Sequence, residues 1–219
     1  MNTGVKIVNV KTVVIQPSSG DAYVDEGTPD LNYGGENEIE IRSYALSPRN
    51  ARGFVKFDLS RIPAKSEIIS AKLFIYMYIA PTASRVYYAQ MVTSTWDELT
   101  ITWSNQPAAT SVHQASTQTG TTDKVWLSWD VTDIVKLWHS GKALNHGFRI
   151  VDGNENSEKF QVAYLWSRDI VYVEYHPKLE VTYGFPASSA APTLCVMIKV
   201  CIASIKLMDC FKVASQIDL

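Results

Sequence analysis

Short stretches of alternating apolar and polar residues recur along this chain, and clusters of Gly, Pro, Asn and Asp interrupt them at intervals of about 8 to 12 residues. That rhythm constrains the fold more than any other feature. Period-two alternation sends successive side chains to opposite faces of a strand, and the intervals are too short for the helices that link parallel strands. The longest run, Ile68–Ile79, sets Ala71, Leu73, Ile75, Met77 and Ile79 on one face and Lys72, Phe74, Tyr76 and Tyr78 on the other. A strand with two apolar faces is covered on both sides, or it leaves an aromatic face open for a ligand. Further strands are predicted within 5–15 (one or two), at 21–25, 38–42, 54–59 and 85–93, near Ile101, and at 125–131, 146–151, 160–166 and 177–183. Thr132 is placed to cap one short helix, in which Ile134 or Val135 and Trp138 share the apolar face and which Gly141 ends. With no internal repeat and no βαβ alternation, the prediction is an all-β sandwich or jelly roll of roughly ten to twelve strands.

The formal net charge is −2, and the 20 Lys and Arg residues form no basic run, so nucleic acid is not the expected partner. The cysteines, Cys195, Cys201 and Cys210, all fall near the C-terminal end, which leaves the body without a disulfide framework or a zinc-ligand pattern. Residues 1–184 read as one domain, 185–193 as a linker, and 194–219 as an apolar cysteine-bearing tail. Lys199, Lys206 and Asp209 make that tail a poor membrane span.

Catalytic spacing is absent. Asp97 and Glu98 are sequence neighbours and point to opposite sides of a strand, so they make a poor acid/base pair. His113, His139, His146 and His176 show no metal-protease spacing, and no nucleophile elbow occurs. A lyase base could be one of the many tyrosines, but the expectation is a chain without catalysis.

One stretch is too particular to be strand filler: Trp96-Asp97-Glu98, then Thr102-Trp103-Ser104-Asn105-Gln106-Pro107. It belongs to an ordered series with Asp21-Ala22-Tyr23-Val24, Asn32-Tyr33-Gly34, Phe57-Asp58-Leu59-Ser60, Ile69–Leu73, Asp130-Val131-Thr132-Asp133 with Trp138, Gly141 with Asn145 and Gly147, Ser167-Arg168-Asp169, and Pro177-Lys178-Leu179. The series, over residues 10–184, resembles the DNRLRE domain, the disaggregatase-related module of archaeal and bacterial surface proteins, and a carbohydrate-binding module family that overlaps it. Asp169 departs from the pattern, where Glu is more usual, so the reach of this carboxylate is one methylene shorter. The resemblance implies a β-sandwich of jelly-roll type, secreted, often repeated or attached to polysaccharide lyases, hydrolases and adhesins, with a role in holding a glycan or building a surface layer. An extracellular or cell-surface location is therefore expected. Met1–Lys6 has no signal-peptide character, which fits a cytoplasmic protein or, the expectation favoured by the resemblance, a mature or trimmed module behind an added Met.

Trp96, Glu98, Trp103 and Pro107 are expected to pack a corner of the sandwich, with Glu98 accepting backbone N–H groups or pairing with Arg168. Asp58 and Asp130 are assigned to turns and helix starts, and Trp138 and Asp169 to the same structural signature. For glycan contacts the candidates lie outside the signature: Tyr76 and Tyr78 on the long strand, Arg85 and Tyr87 on the next, Arg42 with Tyr44, and Tyr164 with Trp166. Aromatic rings beside Arg suit an acidic polysaccharide, because the ring stacks and the guanidinium forks onto a carboxylate or sulfate. The alternative is that these tyrosines fill a second core layer. Asp21, Asp25, Asp30 and Asn32 are candidate ligands for one structural Ca²⁺, which takes oxygen donors; a solvated acidic loop is the other reading of that segment. The second functional expectation is a structural subunit of a surface layer or filament, self-associating through its termini.

Overall fold

The computed structural model describes residues 6–187, so the cysteine-bearing tail lies outside the described residues. Along the chain run β1 (Ile7–Ile15), β2 (Gly20–Asp25), β3 (Glu38–Ser43), β4 (Ala51–Lys56), β5 (Glu67–Ile79), β6 (Val86–Val92), β7 (Ala109–Gln118), β8 (Val125–Asp130), the helix α1 (Thr132–His139), β9 (Phe148–Asp152), β10 (Gln161–Trp166), a 3-10 turn at Val173–Tyr175, and β11 (Lys178–Pro186). Residues Asn9–Phe185 form one compact unit. In the other, Met1–Val8 with Pro186–Leu219, the Ala187 N–H donates to the Lys6 carbonyl at 2.7 Å. No helix among the described residues is long and apolar enough to cross a membrane.

β5 organises the first layer. Its alternation leaves Leu73, Ile75 and Met77 with no exposure and Phe74, Tyr76 and Tyr78 half-buried on the opposite face. One edge of β5 pairs antiparallel with β11 and, further along, β10; the other pairs with β8. β10 then pairs with β3, and a single bridge, Arg42 to Ala51, leads into β4. In the second layer β4 lies between β2 and β9, and β6 lies between β9 and β7. The strands thus form one curled antiparallel sheet, a β-sandwich. Inward residues of both layers, among them Ile41, Ile75, Trp129 and Leu165 from the first and Val55, Tyr87, Ala89 and Ile150 from the second, make its main core.

A smaller core lies on the outer face of the second layer. Ala22, Val24 and Phe54 project there, and Val92 and Ile101 join them, with Trp96 and Trp103 packed on top. Ile101, predicted within a strand, instead sits in an irregular loop with its side chain 2% exposed. The polar edge strand β7 was not predicted, since an edge strand with one buried residue, Ala115, has almost no apolar alternation to reveal it. α1 follows the prediction, but the Thr132 hydroxyl makes no helix-capping bond. It is engaged with Asp130 (2.5 Å), whose carboxylate also accepts the Thr132 N–H at 3.1 Å.

Candidate functional site

The outer face of the first layer carries a row of aromatic rings. Residues opposite one another on paired strands share a face, so Tyr164 and Trp166 of β10 stand beside Glu40 and Glu38 of β3 and close to Tyr78 of β5. Tyr78 stacks on Trp166 with ring centroids 3.7 Å apart and planes 7° from parallel. Tyr164 lies 6.0 Å from Tyr78. Further along β5, Tyr76 packs against Trp126 of β8 at 5.3 Å and against Tyr175 of the 3-10 turn at 4.4 Å. The Lys178 ammonium sits 4.6 Å from the Trp126 centroid and 5.2 Å from that of Phe74, closing the row with a cation over aromatic faces. All six rings from Tyr164 to Tyr175 keep part of their surface in solvent. The Tyr78 hydroxyl donates to Glu38; burial first, then this neighbour, push the phenol well above its ordinary range.

The structure therefore brings together four of the eight predicted glycan contacts, Tyr76, Tyr78, Tyr164 and Trp166, and separates the others. Tyr87 has no exposure, and its hydroxyl lies 3.5 Å from the Ile41 carbonyl, so its ring is core and no sugar can reach it. It points inward because β6 crosses to the second layer instead of pairing with β5. Arg42 is 5% exposed and locked between Asp25 and Glu40. Burial opposes its charge, yet the two carboxylates outweigh that and hold the guanidinium above its ordinary value. Arg85 forks onto Asp152 at 2.8 and 2.9 Å, on the second layer. Tyr44 packs edge-on against Phe160 at 5.5 Å, apart from the row. Trp126, Tyr175 and Lys178 were missed. For Trp126 the signal was present: with Leu127 and Trp129 inward, Trp126 had to face out.

The tryptophan stretch packs the corner, as its reading as signature implies. Trp96 donates its indole N–H to the His146 carbonyl at 2.8 Å, meets Phe54 edge to face, and carries the Lys56 ammonium 4.4 Å from its centroid. Trp103 lies under the Arg52 guanidinium at 4.4 Å, and Pro107 is buried. A shallow groove of about 410 Å³ runs past Trp96 and Thr100, but the ring is held between Phe54 and Lys56. Trp138 is buried on Phe148 at 4.8 Å, its indole N–H without a partner among the described residues. Asp58 accepts the Ser60 N–H and hydroxyl, a turn role.

Beneath this corner lies a carboxylate cluster. Asp21, Glu98 and Asp169 each offer one oxygen within 4.8 Å of the others. Glu98 accepts the Asp21 N–H at 2.8 Å and lies 3.7 Å from the Arg168 guanidinium. Asp21, 1% exposed, accepts the Ser18 hydroxyl and the Arg168 N–H at 3.1 Å. Burial pushes its carboxyl up to about 7 against those hydrogen bonds. The other predicted calcium ligands are engaged elsewhere: Asp25 with Arg42, Asp30 with the Ser104 hydroxyl at 2.8 Å, and Asn32 through its amide nitrogen with the carbonyls of Glu98 and Ile101. They do not form one ligand set.

A sandwich with a half-exposed aromatic row on one outer face, and a carboxylate cluster at its corner made of buried Asp21, half-buried Glu98 and exposed Asp169, has the build of a module that holds a ligand such as a sugar chain by contact. The model of carbohydrate-binding module family 96 (CBM96) matches residues 12–182, and the chain belongs to this family. The match bears on the carbohydrate-binding side of the resemblance and does not extend to the DNRLRE name. Members of carbohydrate-binding module families are generally non-catalytic. Comparison with curated proteins returns no match.

Proposed function

We propose that this chain is a non-catalytic module of an extracellular or cell-surface protein, in keeping with its DNRLRE resemblance, and that it holds an acidic polysaccharide against the outer face of β5, β8 and β10. The aromatic row carries the proposal. Flat rings offer apolar contact at low entropic cost, and Val171 and Val173, 79% and 66% exposed beside Tyr172, extend the apolar surface past Tyr175. Lys178, which also lies 3.8 Å from Glu180, and the exposed Lys72 supply cations on this layer. Glu38 and Glu40, which would repel a polyanion, are tied to the Tyr78 hydroxyl and to Arg42. Catalysis at the carboxylate cluster is opposed by the burial of Asp21, which is 1% exposed. A structural Ca²⁺ would be held at Asp21, Glu98 and Asp169, whose donors are all of the hard oxygen type this ion takes. The test is affinity electrophoresis of the chain and of its Tyr76→Ala and Trp126→Ala variants in neutral and acidic polysaccharides, at low and high salt. Each variant is expected to weaken binding by about tenfold or more, as truncated aromatic anchors do. Wild-type migration unaffected by every polysaccharide sinks the reading.

A second reading, a building block of a surface layer, is favoured by Val10 and Val14 on the edge strand β1, 56% and 42% exposed. Concentration-dependent assembly without glycan binding would put it in place of the first.

A further inference from the structure

The outer face of the second layer holds a groove of about 340 Å³, within the size range of small-molecule sites. Its floor is the row Arg149 on β9, Gln90 on β6 and Gln114 on β7, each beside the next on paired strands. Gln90 accepts from Arg149 Nε at 3.1 Å and Nη2 at 2.6 Å, and donates to Gln114 at 2.8 Å. The chain of amides holds the guanidinium in place and leaves Arg149 Nη1 and the Gln114 amide nitrogen without partners among the described residues. Tyr88 forms one wall. A Cβ on Gly153 would come within 2.6 Å of the Tyr88 ring, so the glycine lets the ring lie against the backbone. The β6–β7 register shifts between Ala89 and Met91, giving β7 extra residues opposite Gln90 that bring Ser111 to the groove.

Charge singles out Arg149. The two carboxylates of the groove are already matched: Glu155 by the Arg52 fork at 2.7 and 2.7 Å, and Asp152 by the Arg85 fork. Arg149 has no carboxylate within salt-bridge distance among the described residues. Burial, with the Arg52 charge nearby, pushes its guanidinium below its ordinary value. Its open side faces the groove, where an anion can exchange for water and form a charge-assisted pair with the held guanidinium.

We infer that this groove is a sugar subsite that reads the anionic substituent, carboxylate or sulfate, of an acidic glycan. Arg149 pairs with the anion, Gln114 donates to it or to a neighbouring hydroxyl, and the Tyr88 ring flanks the sugar. The inference rests on the glycan-binding reading and adds to it a second, anion-reading contact on the layer opposite the aromatic row.

The test is calorimetric titration of the full chain with a polyuronate oligosaccharide, its carboxyl-reduced neutral counterpart and a sulfated oligosaccharide. Arg149→Gln is expected to lose about tenfold to a hundredfold in affinity for the acidic ligand, the range for a charge-assisted pair, while binding the reduced one as wild type does. Ser111→Glu, an exposed change that sets a carboxylate at the rim, is expected to weaken acidic binding in the same direction without touching the floor. The uronate and sulfate arms tell which anion is taken. Unchanged acidic binding by both variants, with wild type binding glycan, overturns the subsite and leaves the aromatic face standing. Wild type binding none of the three overturns both.

Discussion

Asp21→Asn should change how the stability of this chain depends on pH. The Asp21 carboxyl rises from 3.8 to about 7, chiefly through burial. A folded-state value above the unfolded one means that the native protein binds the proton more tightly. The contribution is therefore fully present below the unfolded value and is lost as pH rises through the folded value. At about 1.4 kcal/mol for each tenfold change in proton affinity, the loss approaches 4 kcal/mol as an upper bound. Asn keeps the acceptor for the Arg168 N–H and does not ionise. The assay is urea unfolding of wild type and variant between pH 4 and pH 8 in chelator, followed by tryptophan fluorescence. The two should lie close at pH 4, and the variant should gain steadily on wild type toward pH 8, by up to about 4 kcal/mol. Taking the difference cancels other groups, such as Asp130, which its Thr132 bonds hold below the usual carboxylate range. A difference constant with pH, or wild type gaining on the variant, refutes the buried, proton-retaining carboxyl.

Calcium supplies the complementary measurement. Bound at Asp21, Glu98 and Asp169 it would require the ionised Asp21, so added Ca²⁺ should raise the Tm of wild type more at pH 8 than at pH 5, and not that of Asp21→Asn; equal Tm with Ca²⁺ and chelator at both pH values rejects the ion. Gly34→Ala tests the corner. An added Cβ would fall 1.8 Å from the Glu98 carbonyl oxygen, backbone that the Asn32 amide also holds, and should destabilise the fold by about 3 kcal/mol or more on denaturant titration. Near wild-type stability would show that the contact is loose.

What the sequence revealed depended on how local its cause was. The alternation in β5 fixed which of its rings face outward, and the same logic, carried one residue further in β8, would have found Trp126. Alternation does not say which layer a strand joins. Tyr87 and Arg85 were grouped with Tyr76 on sequence adjacency, but β6 pairs with β9 and β7. The calcium set was drawn from one acidic loop, whereas the cluster that formed draws Glu98 and Asp169 from distant segments; Arg168, next to Asp169, lies 147 positions from Asp21. Arg149 was passed over although Phe148 and Ile150 point inward and so place it outside. Its significance comes from the absence of a partner, which no spacing displays.

The scattered signature blocks have one physical explanation, since most of them meet at the same place. Asn32 bonds the carbonyls of Glu98 and Ile101, Glu98 takes the Asp21 N–H, Arg168 closes on both acids, and Trp96 reaches the carbonyl of His146, between Asn145 and Gly147. Asn145 in turn donates to the Phe57 carbonyl at 2.8 Å. These contacts tie loops from both ends of the chain to the Trp96–Pro107 segment and hold the small core over β2 and β4. Residues committed to such a lock have few polar atoms left for a ligand, and the two tryptophan rings already carry the Lys56 and Arg52 cations. The aromatic row from Tyr164 to Tyr175 makes none of these corner contacts, whereas the groove beside Arg149 touches the corner through Arg52, which forks onto Glu155, bonds Gln106 and covers Trp103. Substitutions in the aromatic row should therefore leave the stability of the corner unchanged, while those at Glu155 or Arg52 should move it.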